Sequence, residues 1–555
     1  VSQLIFKRWE LPSGQAVAIL PSAQGQVMAD IPDITQDLPP AATVSRPDEA
    51  GSAPKMARRS PRADREKRRA SLVSQQRLVV VSNRVPVPKD GSTKAGGLTV
   101  ALEGALRQSG GLWFGWSGET VDEPPGEVKI VQSGNITFAV LDLTKQDYDE
   151  YYAGFANRAL WPVCHFRLDL VQIEQHELNG YLRVNHAFAA SLAPMLRPED
   201  VIWVHDYHFI PLAAELRKLG CKNRIGFFLH IPWPPPDVAS ALPAYEHLLR
   251  CFGAYDLVGF HTPQDAENFQ QCLARENVGS PVGPGEHQID SRRIRVGAFP
   301  VGIDTDAFAR MAATAESNSL VRRTLTSLGE RDLIIGVDRL DYSKGLKQRI
   351  EAFSCFIKSN PEFRNRVTYI QITPKSRSDV PEYQQMQREI AEQAGSTNGS
   401  LGEVDWTPVR YVNRTVGHSA LAGLYRMSRI GLVTPLRDGM NLVAKEFVAA
   451  QRPDNPGALI LSRFAGAAHE LDCAILVNPY DTEACGAAIA RALQMPVEER
   501  RERWSTMMGR LRYNTVQAWC QDFLASLRGA PEVTAPTLQF NTGNGPPSQA
   551  EPLPA

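Results

Sequence analysis

Leu333-Ile-Ile-Gly-Val-Asp-Arg-Leu-Asp-Tyr-Ser-Lys-Gly345 joins two unlike halves. Leu333 to Val337 is a short unbroken apolar run, which suits a strand of a parallel sheet covered on both faces. It stops abruptly, and Arg339 and Lys344 follow among glycine and polar residues. A strand ending this way delivers positive charge to the carboxyl edge of a sheet, where open α/β folds gather their ligands. The expected occupant is a phosphate.

The same pattern recurs on both sides of this stretch. Arg77-Leu-Val-Val-Val-Ser-Asn-Arg84, Val201-Ile-Trp-Val-His-Asp206, Ile225-Gly-Phe-Phe-Leu-His230 and Asp256-Leu-Val-Gly-Phe-His261 are apolar runs with polar ends. Val367 to Ile372, Ile430 to Val433 and Leu459 to Ser462 extend the series. Helical patterns such as Pro211 to Leu219 lie between them. Such alternation predicts βαβ units and an α/β fold. The 555-residue length calls for more than one domain. The break between two of them is expected at residues 305–325, after Pro300-Val-Gly-Ile-Asp304. Asp304-Thr-Asp306 reads as linker, since a D-x-D metal motif belongs elsewhere.

Composition narrows the function. The formal net charge of −1 argues against nucleic acid as the main partner. No apolar run reaches the ~20 residues of a membrane helix, and no secretory signal is expected. The 8 cysteines show neither C-x-x-C pairs nor ligand spacing. A reducing, cytoplasmic setting without disulfides or structural zinc is expected. Residues 1–76 are rich in Pro, Ala, Ser and Gln and end in a basic run, Lys55 to Arg69. They are expected to be a disordered extension. The residues from 529 to 555 are expected to form a loose tail.

A second motif complements the first. Pro435-Leu-Arg-Asp-Gly-Met-Asn-Leu-Val-Ala-Lys-Glu446 reads as a loop opening a helix, with Glu446 on its second turn. Gly439 is expected to allow a tight turn. The amides of Met440, Asn441 and Leu442 are expected to begin the helix and face phosphate and sugar oxygens. With Arg339 and Lys344, this points to a nucleotide-sugar diphosphate and to sugar transfer.

The chain resembles retaining glycosyltransferases of the trehalose-6-phosphate synthase type (family 20). The resemblance rests on Val81-Ser-Asn-Arg84, Lys94-Ala-Gly-Gly-Leu98, Gly111 to Glu119, Leu160-Trp-Pro162, His205-Asp-Tyr-His208, Phe227 to Pro232, Asp338 to Gly345, Arg437 to Glu446 and Ser462 to Ala468. They occur in family order over about residues 77–525. The resemblance implies two Rossmann-like domains facing across a cleft (GT-B). Residues 77–312 would form the acceptor domain and 313–500 the nucleotide-sugar domain. Residues 501–528 would form helices crossing back, with Asn514 to Leu527 as the last.

The resemblance also implies roles. Arg339 and Lys344 would clamp the donor diphosphate and replace a divalent ion, so no metal or other cofactor is expected. Asp438 would take a donor-sugar hydroxyl, Glu446 the ribose, and backbone groups near Ile372 the base. Gly97, in a loop closing over the donor, would approach the phosphate. His230 would lie near the donor sugar's 6-hydroxyl without acting as a base. Arg84 and Arg377 would hold the acceptor phosphate, with Tyr152, Trp161 and Asp206 lining the rest. The implied reaction joins UDP-glucose and glucose 6-phosphate into α,α-trehalose 6-phosphate by same-face attack. A glucosylglycerol-phosphate synthase and a catalytically inactive regulatory homologue remain alternatives. No nucleic-acid or membrane partner is implied, and a homo-oligomer is left open.

Overall fold

The computed structural model describes residues 76–88, 102–107, 110–123, 127–375 and 381–529, without the side chains of 381 and 382. The extension up to residue 75, the 94–98 loop with Gly97, Arg377 and the tail from residue 530 lie outside the described residues.

Two sheets organise the rest. The first holds β1 (Leu78–Arg84), β2 (Gly111–Val121), β3 (Lys129–Ser133), β4 (Ile136–Thr144) and β5 (Val201–His205). It continues with β6 (Arg224–Phe228), β7 (Leu257–Phe260), β8 (Gly279–Gly283), β9 (Glu286–Ile289) and β10 (Arg292–Ala298). Its order is β3-β4-β2-β1-β5-β6-β7-β10-β9-β8. The strands from β4 to β10 are parallel, while β3, β9 and β8 add antiparallel edges. The second sheet holds β11 (Asp332–Val337), β12 (Val367–Ile372), β13 (Val409–Val412), β14 (Ile430–Val433), β15 (Ala458–Ser462) and β16 (Ile475–Val477). It is wholly parallel, in the order β13-β12-β11-β14-β15-β16.

Strand order reverses direction once in each sheet, between β1 and β5 and between β11 and β14. Those two switch points open crevices at the strands' carboxyl ends. The unbroken apolar runs follow from burial on both faces. Val79 and Val81 of β1 enter one core, while Leu78 and Val80 enter another. In β11, Leu333, Ile335 and Val337 face that second core, and Ile334 faces a third. The middle core is therefore shared by both sheets.

The segment 305–325 is not a polar connector. It forms two helices, Thr305–Thr314 and Ser319–Leu328. Asp304 caps the first through the Ala307 amide at 3.1 Å, so its carboxylate is a helix cap and not linker. Phe308 and Ala312 then bury the helix's apolar side. The chain returns beside this crossing: Val516 N–H donates to the Ile303 carbonyl at 3.2 Å. The helix Val516–Leu527 then lays Trp519 and Phe523 on Trp203 of β5, with ring centroids 4.9 and 4.6 Å apart.

Candidate active site between the two sheets

The loop after β11 is built around a buried arginine. Arg349, on the helix Leu346–Ser359, has a fully buried side chain. It donates to Asp338 Oδ2 at 2.8 Å, the Lys344 carbonyl at 3.1 Å, Gln371 at 3.1 Å and Thr434 at 3.2 Å. One side chain thus ties the β11 loop to β12 and to the segment after β14. Its charge is tolerable because Asp338 is buried beside it and every arm is bonded. Gly345 turns the chain at φ 64°, a conformation that favours glycine. Lys344 is thereby held on the short turn Tyr342–Lys344.

Lys344 is not a free cation. Its Nζ pairs with Asp438 Oδ2 at 2.7 Å, and Asn441 Nδ2 donates to the same oxygen at 3.0 Å. Asp438 thus positions the cation, and an ammonium with three protons keeps two for a phosphate. Arg339 is different. Its side chain is 44% exposed, 3.5 Å from the buried Asp341 carboxylate. Its guanidinium lies 4.8 Å from the Trp161 ring centroid, across the cleft.

The Asp438–Leu442 stretch departs from expectation in two ways. Gly439 is not among the positive-φ glycines. Glycine is needed there for close approach, because a Cβ would lie 2.6 Å from the His230 carbonyl oxygen. The helix also starts later, at Leu442–Ala450. Asn441 is its cap at φ 77°, accepting from the Ala444 amide at 3.2 Å. The first unpaired helical amides are therefore those of Leu442 and Val443. Met440 is buried, and its carbonyl accepts from Ala467 at 2.7 Å. Glu446 sits on the second turn, 3.7 Å from His418, whose pKa it raises. Ile372 ends β12, buried, with its carbonyl accepting the Asp338 N–H at 3.1 Å.

The facing wall comes from the first sheet. Arg84 is exposed at the end of β1, against the Gly118 backbone, and its guanidinium has no hydrogen-bond or ion-pair partner among the described residues. Asp206 follows β5 at φ 77°, an uncommon conformation for a residue with a side chain. Its Oδ1 accepts from the amides of Tyr207 (3.1 Å) and His230 (3.2 Å). Tyr152 lies in the π-helical stretch Tyr148–Leu160 and stacks on His208 at 5.7 Å and 12°. Trp161 directly follows that stretch and is buried beneath Arg339.

Histidines fill the space behind this wall. His205 Nδ1 lies 3.0 Å from His230 Nε2, and the His230 and His261 rings are 5.5 Å apart. Burial pushes His230 down to about 3 and drives His205 and His261 well below the ordinary imidazole value. All three are neutral at physiological pH, so this row of imidazoles adds no positive charge behind the wall. His165 nearby is lowered to about 4, again by burial.

The structure thus brings Arg339, Lys344, Asp438, Asn441, Trp161, Asp206 and His230 to one cleft. Further contacts cross it: Arg437 lies 3.8 Å from the Phe166 ring centroid, and Arg167 lies 5.4 Å from that of Tyr342. Sequence reasoning missed Arg349, His205 and His261. Arg349 had one visible signal, a lone cation on the helix face carrying Leu346, Ile350 and Phe353. The histidines are ordinary strand-end residues until their neighbours are known.

Two Rossmann-type switch points facing one cleft, with cations on one side and an aromatic, carboxylate-bearing wall on the other, define a two-domain enzyme that handles phosphorylated ligands. The sequence pattern of Glycosyltransferase family 20 matches residues 72–529, and the chain belongs to that family. It is 59% identical over 459 residues to a trehalose-6-phosphate synthase of Sinorhizobium fredii, covering 82% of this chain and 99% of that one. An α,α-trehalose-phosphate synthase (UDP-forming) of Burkholderia xenovorans, solved with glucose-6-phosphate, aligns with TM-score 0.79 and 46% identity. That alignment covers 82% of this chain and 100% of the other. An Escherichia coli structure described as trehalose-6-phosphate bound with UDP-2-fluoro glucose aligns with TM-score 0.78 and 45% identity, covering 82% and 99%.

Proposed function

We propose that this protein is a retaining glucosyltransferase. It moves glucose from UDP-glucose to the anomeric oxygen of glucose 6-phosphate and releases UDP and α,α-trehalose 6-phosphate. The observation that carries this reading is Arg339 reaching across the cleft to Trp161 beside the Lys344–Asp438 pair. Diphosphate cations and acceptor wall then share one site.

The bond between the sugar's C1 and the β-phosphate oxygen breaks as the acceptor oxygen bonds C1 on the same face. The acceptor proton passes to the departing phosphate oxygen. Negative charge grows on that phosphate, and Arg339 and Lys344 stabilise it more in the transition state than before. They serve where a divalent ion would otherwise be needed. Leu442 and Val443 amides meet donor oxygens, Glu446 the ribose, and the strand end at Ile372 the base. Arg84, Tyr152, Trp161 and Asp206 hold the acceptor, with Gly97 and Arg377 completing the site. The acceptor domain spans residues 77–312 and the nucleotide-sugar domain 313–500, with the helices of 501–528 crossing back to the first. Eight unpaired cysteines suit a reducing compartment such as the cytoplasm.

The test supplies purified protein with UDP-glucose and either glucose 6-phosphate or glycerol 3-phosphate. UDP release that requires glucose 6-phosphate supports the proposal. Consumption of glycerol 3-phosphate alone would replace it with a glucosylglycerol-phosphate synthase, and no release with either would indicate an inactive homologue.

A further inference from the structure

His205 is buried, at 2% exposure, behind the cleft wall. Its Nδ1 is 3.0 Å from His230 Nε2, so one nitrogen carries the shared proton. The rest of the environment decides which. His205 Nε2 is buried without a partner. Its aromatic neighbours Trp203 and Trp519, with centroids 4.6 and 6.3 Å away, carry buried indole N–H groups that also lack one. A proton on His205 Nε2 would be a buried N–H with no acceptor within hydrogen-bond reach among the described residues. A bare lone pair there costs less, since buried orphan N–H groups are rarer than under-satisfied acceptors. The neutral His205 ring therefore carries its proton on Nδ1 and donates to His230.

His230 then has one arrangement left. Its Nε2 is the acceptor, so its own proton sits on Nδ1. That nitrogen has no hydrogen-bond partner among the described residues and is not among the buried orphans, and the residue is only partly buried. The His230 backbone is held as well. Its amide donates to Asp206, and its carbonyl oxygen lies against Gly439, where a Cβ would come within 2.6 Å of it. His261 Nδ1 is a second bare, buried nitrogen.

We propose that His205 is a positioning residue that fixes His230 as a neutral imidazole presenting Nδ1–H, a pure hydrogen-bond donor, to a hydroxyl of the donor sugar. The sugar contact rests on the function proposed above; the tautomer does not. Such a donor accepts no proton, so His230 cannot act as a base while His205 holds it. It also favours a sugar that offers a hydroxyl oxygen at that place, as the 6-hydroxyl of glucose does.

The test uses the full chain labelled with nitrogen-15 at histidine, with His230 signals assigned through a His230→Asn variant. The expected spectrum has Nδ1 protonated and Nε2 bare in the free protein. A proton on His230 Nε2 overturns the proposal, whatever the protein turns over. Kinetics adds a second reading. His205→Phe is expected to lower kcat/KM for UDP-glucose about tenfold. It should change UDP-6-deoxyglucose turnover less than about twofold on the same basis. His205→Asn, whose amide N–H falls near the Nδ1 position, should restore most of the loss. Equal losses on both donors with an unchanged His230 spectrum would mean packing alone and overturn the proposal. Should His205→Phe fail to fold, the wild-type spectrum decides. Should no glucosyl donor react, the proposed function fails while the tautomer result stands.

Discussion

The two switch points solve opposite electrostatic problems. Beyond β11 and β14, charge is concentrated and braced: Arg349 against Asp338, Lys344 against Asp438, and Arg339 over Trp161. Beyond β5 and β6, burial has removed charge from His205 and His230, and the third imidazole, His261 after β7, is neutral too. An anion entering the cleft meets Arg339 and Lys344 beyond β11, while the imidazoles lying beyond β5, β6 and β7 are uncharged. The contrast gives direction. Arg339 and Lys344 lie on the leaving-group side, so developing phosphate charge is favoured there, and the neutral imidazoles do not compete for it.

The charged half breaks most readily at its brace. Arg349→Met should destabilise the protein by about 3–5 kcal/mol, because Asp338 is left buried and unpaired. Urea unfolding measures this, and an unchanged midpoint would show that the brace carries no weight. Next comes the clamp. Lys344→Ala should lower kcat by roughly 10² or more with native-like stability. A change confined to KM would mean that the cation binds the ground state and transition state alike.

The neutral half is tested by pH. His165, His205, His230, His261, His287 and His469 lie below their ordinary value, while His418 is raised. For a lowered imidazole the unfolded chain takes up the proton first as pH falls. Stability is then present above about 6.5 and lost as pH drops toward the folded values, by about 1.4 kcal/mol per pH unit for each fully buried ring. Asp265, raised to about 6 by burial, and the carboxyls of Glu177, Asp332 and Asp338, also raised by burial, take up protons in the folded state as pH falls and oppose part of that loss. Urea midpoints should therefore fall between pH 7 and pH 5; a flat series would contradict buried neutral histidines. The smallest effect sharpens the outer wall. Arg84→Ala should raise KM for the phosphorylated acceptor about tenfold with kcat nearly unchanged. An unaltered KM would remove Arg84 from the acceptor pocket.

The central parallel strands were readable from composition because both their faces are buried, leaving unbroken apolar runs such as Leu78 to Val81. The edges were not. β3 exposes Lys129 to Gln132, and β8 exposes Ser280 to Val282, so neither shows an apolar run or a clean alternation. The helices over 305–325 were missed because much of their surface is polar and only caps and a few buried residues mark them. Arg339, Lys344 and Asp438 stood out as charges placed just after apolar runs. Asn441 was read as part of a helix, whereas its positive φ makes it the cap.

Sequence alone determined the alternation of strands and helices and the charges at strand ends, because burial on both faces and turn chemistry act over a few residues. Tertiary structure decided how those ends meet. Lys344 finds Asp438, Arg349 braces the loop, Gly439 admits the His230 carbonyl, and a row of histidines loses its charge. Such properties depend on desolvation and on partners far along the chain, as Thr305 donates to the Leu511 carbonyl 206 residues away. No local pattern encodes that distance, and only the packed chain supplies it.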